Sequence, residues 1–142
     1  MRQIAFEDRI SIIDIIHVYF WLVDHGRADE VSLYFAETGR LTFGPGAPKP
    51  GTLEGAAIAV AMVARSKQSE VTTRHALSNI ALTATSDTTI EAYSLLTLYR
   101  SGDATRDTYP ASVADIEDIF VRTDKGWRIL ERRILPVFNR AP

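Results

Sequence analysis

The spacing of the apolar residues changes once along this chain, near residue 70, and that change limits the folds it can form. Before it, apolar side chains recur every three or four residues, which is typical of amphipathic helices. We predict helices over residues 5–25, 28–35 and 56–68. After it come long segments rich in β-branched and aromatic residues, which predict antiparallel strands over 71–84, 90–100, 112–122 and 127–138. Helices followed by a run of strands indicate an α+β fold.

Shorter elements connect these segments. Residues 40–43 are predicted to form a short strand, and the proline- and glycine-rich stretch 44–51 a loop. This loop is not followed by the Gly-Lys-Ser/Thr sequence of a phosphate-binding loop. The sequence Thr123-Asp124-Lys125-Gly126 predicts a hairpin loop between the last two strands.

Composition excludes several classes of protein. The 142 residues fit one domain, 1–142, and 46% of them are hydrophobic, as in ordinary globular proteins. Cysteine is absent, which excludes thiolate metal sites, iron–sulfur clusters and a cysteine nucleophile. The net charge of −2 argues against a nucleic-acid partner, and the longest apolar run, Ala56–Ala64, is too short for a membrane span. Because no signal-peptide pattern is present, we predict a soluble cytoplasmic protein.

Asp24 occupies an unfavourable position for an acid. It lies at the C-terminal end of the first predicted helix, just before Gly26, where the helix dipole repels a negative charge. Three interpretations remain open at this stage. The carboxylate is solvated, or it pairs with Arg27, or it orients a histidine.

His75 lies on a strand face of mixed character. With a period of two, Thr73, His75, Leu77 and Asn79 share one face, which is neither purely apolar nor purely polar. A mixed face is typical of the wall of a ligand cavity. The alternative is a core histidine whose ring is satisfied by a neighbouring carbonyl. The three histidines of the chain, His17, His25 and His75, have no metal-ligand spacing, so we expect no metal and no cofactor.

The last strands supply further polar candidates. Arg132 and Arg133 point to opposite faces, so one of them can reach a cavity while the other meets solvent. Acidic partners on the preceding strand are Asp115, Glu117 and Asp118. Tyr93, Thr97 and Tyr99 share one face of their strand, either as packing or as cavity lining.

Several blocks of the sequence resemble SnoaL-like proteins of the nuclear transport factor 2-like superfamily. The resemblance runs along nearly the whole chain. It is carried by Leu22-Val23-Asp24-His25-Gly26, by residues 28–36, by Gly55 with its alanine-rich helix, by Thr73-Arg74-His75 with Asn79, by residues 118–122 and by Gly126-Trp127-Arg128-Ile129. It implies a cone-shaped, curved antiparallel sheet of about four to six strands, closed by three N-terminal helices around a cavity.

The resemblance also implies a site. In the dehydratase and dehydrochlorinase branch of the superfamily, an aspartate ending the first helix pairs with a histidine on the first long strand, and these positions match Asp24 and His75. The same branch places further catalytic groups at positions that match Tyr19 and Arg132. One departure is that scytalone dehydratase has a second active-site histidine on a later strand, whereas this chain has none after His75. We predict substrate contacts from His17, Phe20, Asn79, Tyr93 and Tyr99.

These observations predict a cofactor-independent lyase or isomerase. His75 would abstract a proton from a small, apolar cyclic or polyketide-like substrate, and Asp24 would hold the imidazole in the productive tautomer. The alternative is a non-catalytic ligand-binding or interaction module of the same fold, including a role like that of a dioxygenase β subunit. We also predict a homodimer through the outer face of the sheet, with an apolar contact formed by Ile80, Leu82, Leu96 and Leu98.

Overall fold

The first helix, α1, spans Phe6–Asp24 and matches the predicted segment within one residue at each end. In this computed structural model, which describes residues 2–102 and 108–140, it buries one apolar face. The buried side chains are Ile12, Ile15, Ile16, Tyr19, Phe20, Leu22 and Val23. The helix ends where Gly26 adopts a positive φ of 75°, which lets the Arg27 amide turn back onto the Leu22 carbonyl. No helix among the described residues is both long and apolar enough to span a membrane.

Two shorter helices follow. The segment Ala28–Tyr34 is a 3-10 helix rather than an α-helix, and it buries Ala28 and Val31. The second α-helix, α2, spans Ala56–Ser66 and buries Ile58 and Met62. The 3-10 helix packs against both α1 and α2.

Six strands form one curved, mixed sheet in the order β2-β1-β6-β5-β4-β3. Their bounds are β1 Phe35–Phe43, β2 Gly51–Glu54, β3 Thr72–Ala84, β4 Thr89–Ser101, β5 Pro110–Thr123 and β6 Gly126–Asn139. All neighbours are antiparallel except β1 and β6, which pair in parallel. The prediction of an α+β fold is confirmed, and the parallel pair corrects the expectation of an entirely antiparallel sheet. The sequence pattern does not predict β2, because this strand is short and follows directly on the proline-rich loop.

The N-terminal turn of α1 is attached to the far hairpin of the sheet through Asp8. One carboxylate oxygen accepts a hydrogen bond of 2.9 Å from the Trp127 indole, and the other accepts one of 2.8 Å from Arg122. The Arg122 guanidinium also lies over the Trp127 ring, 4.6 Å from its centroid. These contacts fix the angle at which α1 crosses the inner face of the sheet.

A bulge in β3 changes which residues face inward. Asn79 has a φ of 55° and the register shifts between Ser78 and Ala81, so the alternation of faces restarts after this point. Asn79 is exposed and does not share the His75 face, whereas Ile80 and Leu82 pack against the core. The predicted inward position of Asn79 is therefore wrong, because a single left-handed residue interrupts the period of two.

Strand pairing corrects two further expectations about faces. Leu98 lies opposite His75 and Leu96 opposite Leu77, so these leucines are on the inner face. The predicted dimer contact of Ile80, Leu82, Leu96 and Leu98 is therefore on the wrong side of the sheet. Tyr93 and Tyr99, opposite Ala81 and Arg74, lie on the outer face and are 47% and 38% exposed.

Candidate active site

Asp24 and His75 meet where the end of α1 crosses the edge strand β3. His75 Nδ1 lies 2.5 Å from Asp24 Oδ1, and the backbone amide of His75 donates to Asp24 Oδ2 over 2.8 Å. The Thr73 hydroxyl donates a second hydrogen bond to Oδ1, also 2.8 Å long. The two side chains are largely buried, with 5% of Asp24 and 12% of His75 exposed. Asp24 is thus held by three donors from one short stretch of β3.

The hydrogen bonds determine the charge of Asp24 and the tautomer of His75. Burial by itself raises the pKa of Asp24, but the hydrogen bonds and charge of His75 and the Thr73 hydroxyl outweigh it, and the net pKa is lowered. The carboxylate is therefore ionised at neutral pH. Because a carboxylate only accepts, Nδ1 of His75 carries the proton, and the neutral ring has its lone pair on Nε2.

Two arginines stabilise this arrangement through hydrogen bonds. Arg65, in the last turn of α2, donates to the Thr73 hydroxyl over 3.0 Å, which leaves the Thr73 proton for Asp24. Arg74 Nη1 donates to the Thr73 carbonyl over 2.7 Å and to the Asp24 backbone carbonyl over 3.3 Å. A cation at the last carbonyl of α1 offsets the dipole that made this position unfavourable for Asp24.

His75 lines an open cleft of about 300 Å³ at the surface. The cleft is bordered by His17, Trp21, Asp24, His25, Arg74, His75 and Leu77. His17 and Trp21 also border a shallow groove of about 540 Å³ that runs along α1. In the described part of the chain, no three side chains of His, Asp or Glu are arranged to hold a metal ion.

Behind the cleft lies a second polar pair that is sealed in the core. Arg132 donates to both carboxylate oxygens of Asp118, each over 2.8 Å, and neither side chain is more than 1% exposed. Its guanidinium lies 4.3 Å from the ring centroid of Tyr19 and 5.3 Å from that of Phe20. The Phe20 ring in turn stacks on the imidazole of His75 at a centroid distance of 4.6 Å. Phe20 therefore separates the dyad from Arg132.

Two buried polar atoms beside this ion pair have no hydrogen-bond partner among the described residues. They are the Tyr19 hydroxyl and Arg132 Nη1. Burial raises the pKa of Tyr19 to about 12, so its hydroxyl stays protonated and can donate. Desolvation lowers the pKa of Arg132, but the charge of Asp118 outweighs it and the net pKa is raised. The Arg132 charge opposes the rise in the pKa of Tyr19, so the two buried groups already interact with each other.

The model of the SnoaL-like domain matches residues 5–133. The chain belongs to the SnoaL-like family. Solved structures agree with this fold. An NTF2-like protein with a cystatin-like fold from Novosphingobium aromaticivorans is 26% identical, with a TM-score of 0.76 over 95% of this chain and 85% of that one. No curated protein is similar enough in sequence to match the chain.

Two more distant structures share the SnoaL-like fold. A candidate scytalone dehydratase from N. aromaticivorans is 16% identical, with a TM-score of 0.78 over 96% of this chain and 91% of that one. ActVI-ORFA from Streptomyces coelicolor is 17% identical, with a TM-score of 0.76 over 91% of this chain and 96% of that one. At these identities the similarity shows the fold alone.

The residues that the sequence singled out fall into three groups in this SnoaL-like chain. Asp24, His75 and His17 border the cleft, and the buried Phe20 stacks on His75 from the core side. Tyr19 and Arg132 are buried behind Phe20 and do not reach the cleft surface. Asn79, Tyr93 and Tyr99 lie outside the inner face and are not part of this cluster.

Sequence reasoning misses three cleft residues, Trp21, His25 and Arg74, whereas it places Leu77 on the His75 face. Trp21 and His25 are four residues apart on α1, a spacing that places them side by side, and their rings stack at 3.9 Å. Leu77 follows from the period of two that places His75. Arg74 could not be found this way, because strand alternation points it outward and only its position on an edge strand lets it fold round to Asp24.

Proposed function

We propose that this SnoaL-like protein is a cofactor-independent lyase or isomerase in which His75 is the general base. The observation that carries the proposal is the hydrogen bond between His75 Nδ1 and the ionised Asp24, which leaves Nε2 of His75 as the proton acceptor at the cleft. Imidazole suits this role because its ordinary pKa, about 6.5, is close to neutral pH. The family hosts several activities, so the site and not the fold supports the assignment.

The reaction begins with transfer of a proton from a carbon beside a carbonyl group to His75 Nε2. The electron pair of the broken C–H bond moves toward the carbonyl and forms an enolate. The imidazolium that results is stabilised by Asp24, which stays ionised throughout. In a lyase, the electron pair then returns to expel a hydroxyl group from the neighbouring carbon, and His75 gives that group its proton so that water leaves. In an isomerase, His75 returns the proton to another carbon.

Tyr19 and Arg132 are proposed to stabilise the enolate oxygen. The Tyr19 hydroxyl and Arg132 Nη1 have no geometric hydrogen-bond partner within the described part of the chain, and Asp118 holds the guanidinium in place. Such preorganised donors in a dry site contribute strongly to catalysis. Because Phe20 lies between these donors and His75, this role requires that the Phe20 ring moves aside when substrate binds.

The openness of the cleft favours a second candidate function, that of a non-catalytic module for small ligands. The described inner core is packed with apolar side chains. The Tyr19 hydroxyl and the Arg132 guanidinium are buried and do not reach the cleft. A protein that binds a ligand in the cleft alone would need neither Tyr19 nor Arg132. This candidate differs from the first in predicting ligand affinity without turnover.

Proton exchange tests the first candidate without knowledge of the natural substrate. A panel of cyclic 1,3-diketones and β-hydroxy ketones is incubated in D2O, and loss of the C–H signal is followed by NMR. We expect exchange with the wild-type protein and at least about a hundredfold slower exchange with His75→Ala, the loss typical of a missing general base. The matched control is Asp8→Asn, at the other end of α1, which should keep the wild-type rate. Equal rates in wild type and His75→Ala would exclude the proposal and leave the binding module.

We also propose a homodimer formed through the outer face of the sheet. On this face Tyr93 and Phe138 are exposed and Leu95 and Leu135 are partly buried, and these four replace the set predicted from sequence. Phe138 is 68% exposed, which is unusual for so large an apolar side chain. Sedimentation should show a dimer at micromolar concentration, and Phe138→Asp should shift the protein toward monomer. A wild-type monomer would contradict this arrangement.

A further inference from the structure

Arg74 is a charged side chain at the mouth of the cleft that has no carboxylate ion-pair partner within residues 2–102 and 108–140. Its Nη1 donates to two backbone carbonyls, those of Thr73 and Asp24, which hold the guanidinium in place. Among the described residues it forms no ion pair with a carboxylate side chain. A guanidinium fixed by one nitrogen presents the rest of its planar fork to a ligand.

The charged side chains that border the cleft are the Asp24 carboxylate and the Arg74 guanidinium. The Asp24 carboxylate accepts three hydrogen bonds from β3 and interacts electrostatically with Arg65, so its oxygens are already engaged by the protein. Glu70 and Arg100 also act on Arg65, with opposite signs. Arg74 is then the cation that a ligand in the cleft meets.

Trp21 provides a flat apolar wall beside Arg74. The indole is 58% exposed although it is one of the largest apolar side chains of the protein. It is held by stacking on His25, whose Nδ1 in turn donates to the Trp21 carbonyl over 2.7 Å. A large aromatic ring that is both exposed and fixed in orientation can stack on a planar ligand at little entropic cost.

We infer that the cleft selects planar aromatic carboxylates, with the ring against Trp21 and the carboxylate on Arg74. This inference rests on the proposed function only in placing the ligand next to His75. The carboxylate fits the Arg74 fork because both groups are planar and each can form two parallel hydrogen bonds. The volume of about 300 Å³ is at the small end for ligand pockets, which suits one or two fused rings. A substrate of this class would be fixed by its acid group while His75 acts on a carbon elsewhere in the ring system.

A pair of probes that differ only in charge tests the inference. The dissociation constants of 2-naphthoate and of neutral 2-naphthamide are measured by isothermal titration calorimetry with the full chain. We expect wild type to bind 2-naphthoate at least about tenfold more tightly than 2-naphthamide, the preference of a charge-assisted hydrogen bond. Arg74→Gln should reduce the preference to about twofold or less, and Arg74→Lys should retain part of it because the charge stays while the fork is lost. Trp21→Ala should weaken both probes alike.

The chain offers a matched control in Arg128. Its Nη1 donates to the carbonyl of the preceding residue, Trp127, over 2.8 Å, as Arg74 does to Thr73, but Arg128 lies in the hairpin near the opposite end of α1. Arg128→Gln should keep the full preference for 2-naphthoate. Circular dichroism of each variant checks that the fold is intact, and Arg74→Lys serves if Arg74→Gln does not fold.

Several outcomes overturn the inference. They are equal affinity of wild type for the two probes, absence of 2-naphthoate binding at millimolar concentration, a preference that survives Arg74→Gln, and displacement of 2-naphthoate by equimolar inorganic phosphate. His75→Ala separates this inference from the proposed function, because it removes the base and should leave the preference for 2-naphthoate unchanged. Exchange activity on neutral ketones together with equal affinity for the probes would refute the carboxylate preference and support the lyase or isomerase.

Discussion

The two ends of α1 each carry an aspartate whose two carboxylate oxygens accept hydrogen bonds from the sheet. At the N-terminal end, Asp8 is bound by the Trp127 indole and by Arg122. At the C-terminal end, Asp24 is bound by His75 and Thr73. The helix dipole favours an acid at the first position and opposes it at the second. The hydrogen bonds that hold Asp24 must therefore overcome a penalty that Asp8 does not meet.

The chemistry of the partners separates the two aspartates further. An indole and a guanidinium keep their protons at every pH at which the protein is folded, so the Asp8 contacts can only hold the helix. An imidazole gains and loses a proton near neutrality, so the Asp24 contact can take part in proton transfer. Asp24 is also the more buried of the two, with 5% of its side chain exposed against 23% for Asp8. The same residue type thus anchors one end of α1 and orients a candidate base at the other.

Replacing each aspartate by asparagine should slow proton exchange at one end of α1 only. Asp24→Asn should slow proton exchange at least about a hundredfold, because an amide no longer fixes the tautomer or stabilises the imidazolium. Asp8→Asn should leave the exchange rate within about twofold of wild type, since Asp8 lies 16 residues, or roughly 24 Å, along the helix from Asp24. The measurement is the exchange rate by NMR at equal folded concentration. Equal loss in both variants would mean that α1 acts as one unit and that the comparison is wrong.

Stability should show the contribution of Asp8. Asp8→Asn keeps an oxygen for one donor and turns an amide NH2 toward the other, so we expect a loss of about 1–3 kcal/mol in the free energy of unfolding. Urea denaturation at pH 7 measures it. Trp127→Phe removes the indole donor and part of a buried ring, so it should lower the free energy of unfolding by at least about 1 kcal/mol. A wild-type free energy of unfolding in Asp8→Asn would show that this end of α1 is held by its apolar face alone.

The sequence predicts the ends of α1 better than the faces of β3. Apolar periodicity is local, so the bounds of α1, α2 and the four long strands agree with the structure within about two residues. The parallel pairing of β1 with β6 depends on distant contacts, and the bulge at Asn79 depends on one left-handed residue; neither leaves a local pattern. Without the bulge, a period of two places Ile80 and Leu82 on the outer face, which is the prediction that the structure corrects.

The sequence predicts the Asp24–His75 pair of the candidate site but not the positions of its arginines. The acid at the wrong end of a helix, together with the family resemblance, pointed to Asp24 and His75, which the structure brings into contact. The burial of Arg132 against Asp118 follows from facing positions on β5 and β6 that only the strand register reveals. Arg74 was not predictable, because its side chain curls round the edge of the sheet to the Asp24 carbonyl.

The Thr73 hydroxyl tests how firmly Asp24 must be held. Thr73→Val keeps the shape of the side chain but removes the donor to Asp24 Oδ1 and the acceptor for Arg65. Two donors from His75 remain, so we expect exchange to slow by about tenfold or less, the effect of one hydrogen bond. Exchange rates and the free energy of unfolding are measured together. A loss as large as that of Asp24→Asn would show that Thr73, and not only His75, fixes the carboxylate.

The response to acid should be the smallest effect, and its sign follows from the lowered pKa values of both aspartates. Hydrogen bonds from Trp127 and Arg122 lower the pKa of Asp8 below its ordinary value of 3.8, against the opposing effect of burial. Asp8 therefore contributes stability that is fully present above pH of about 4 and is lost as the pH falls through its folded pKa. The destabilisation caused by Asp8→Asn should accordingly be full at pH 7 and shrink at pH 3. The pH 3 and pH 7 values come from urea denaturation of wild type and variant in the same buffer series.

Asp87→Asn is the control, since Asp87 forms a surface ion pair with Arg2 in which the side chains are 92% and 56% exposed. Its free energy of unfolding should stay within about 0.5 kcal/mol of wild type at both pH values. A destabilisation by Asp8→Asn that is as large at pH 3 as at pH 7 would mean that the charge of Asp8 contributes nothing, and that its end of α1 is held by geometry alone.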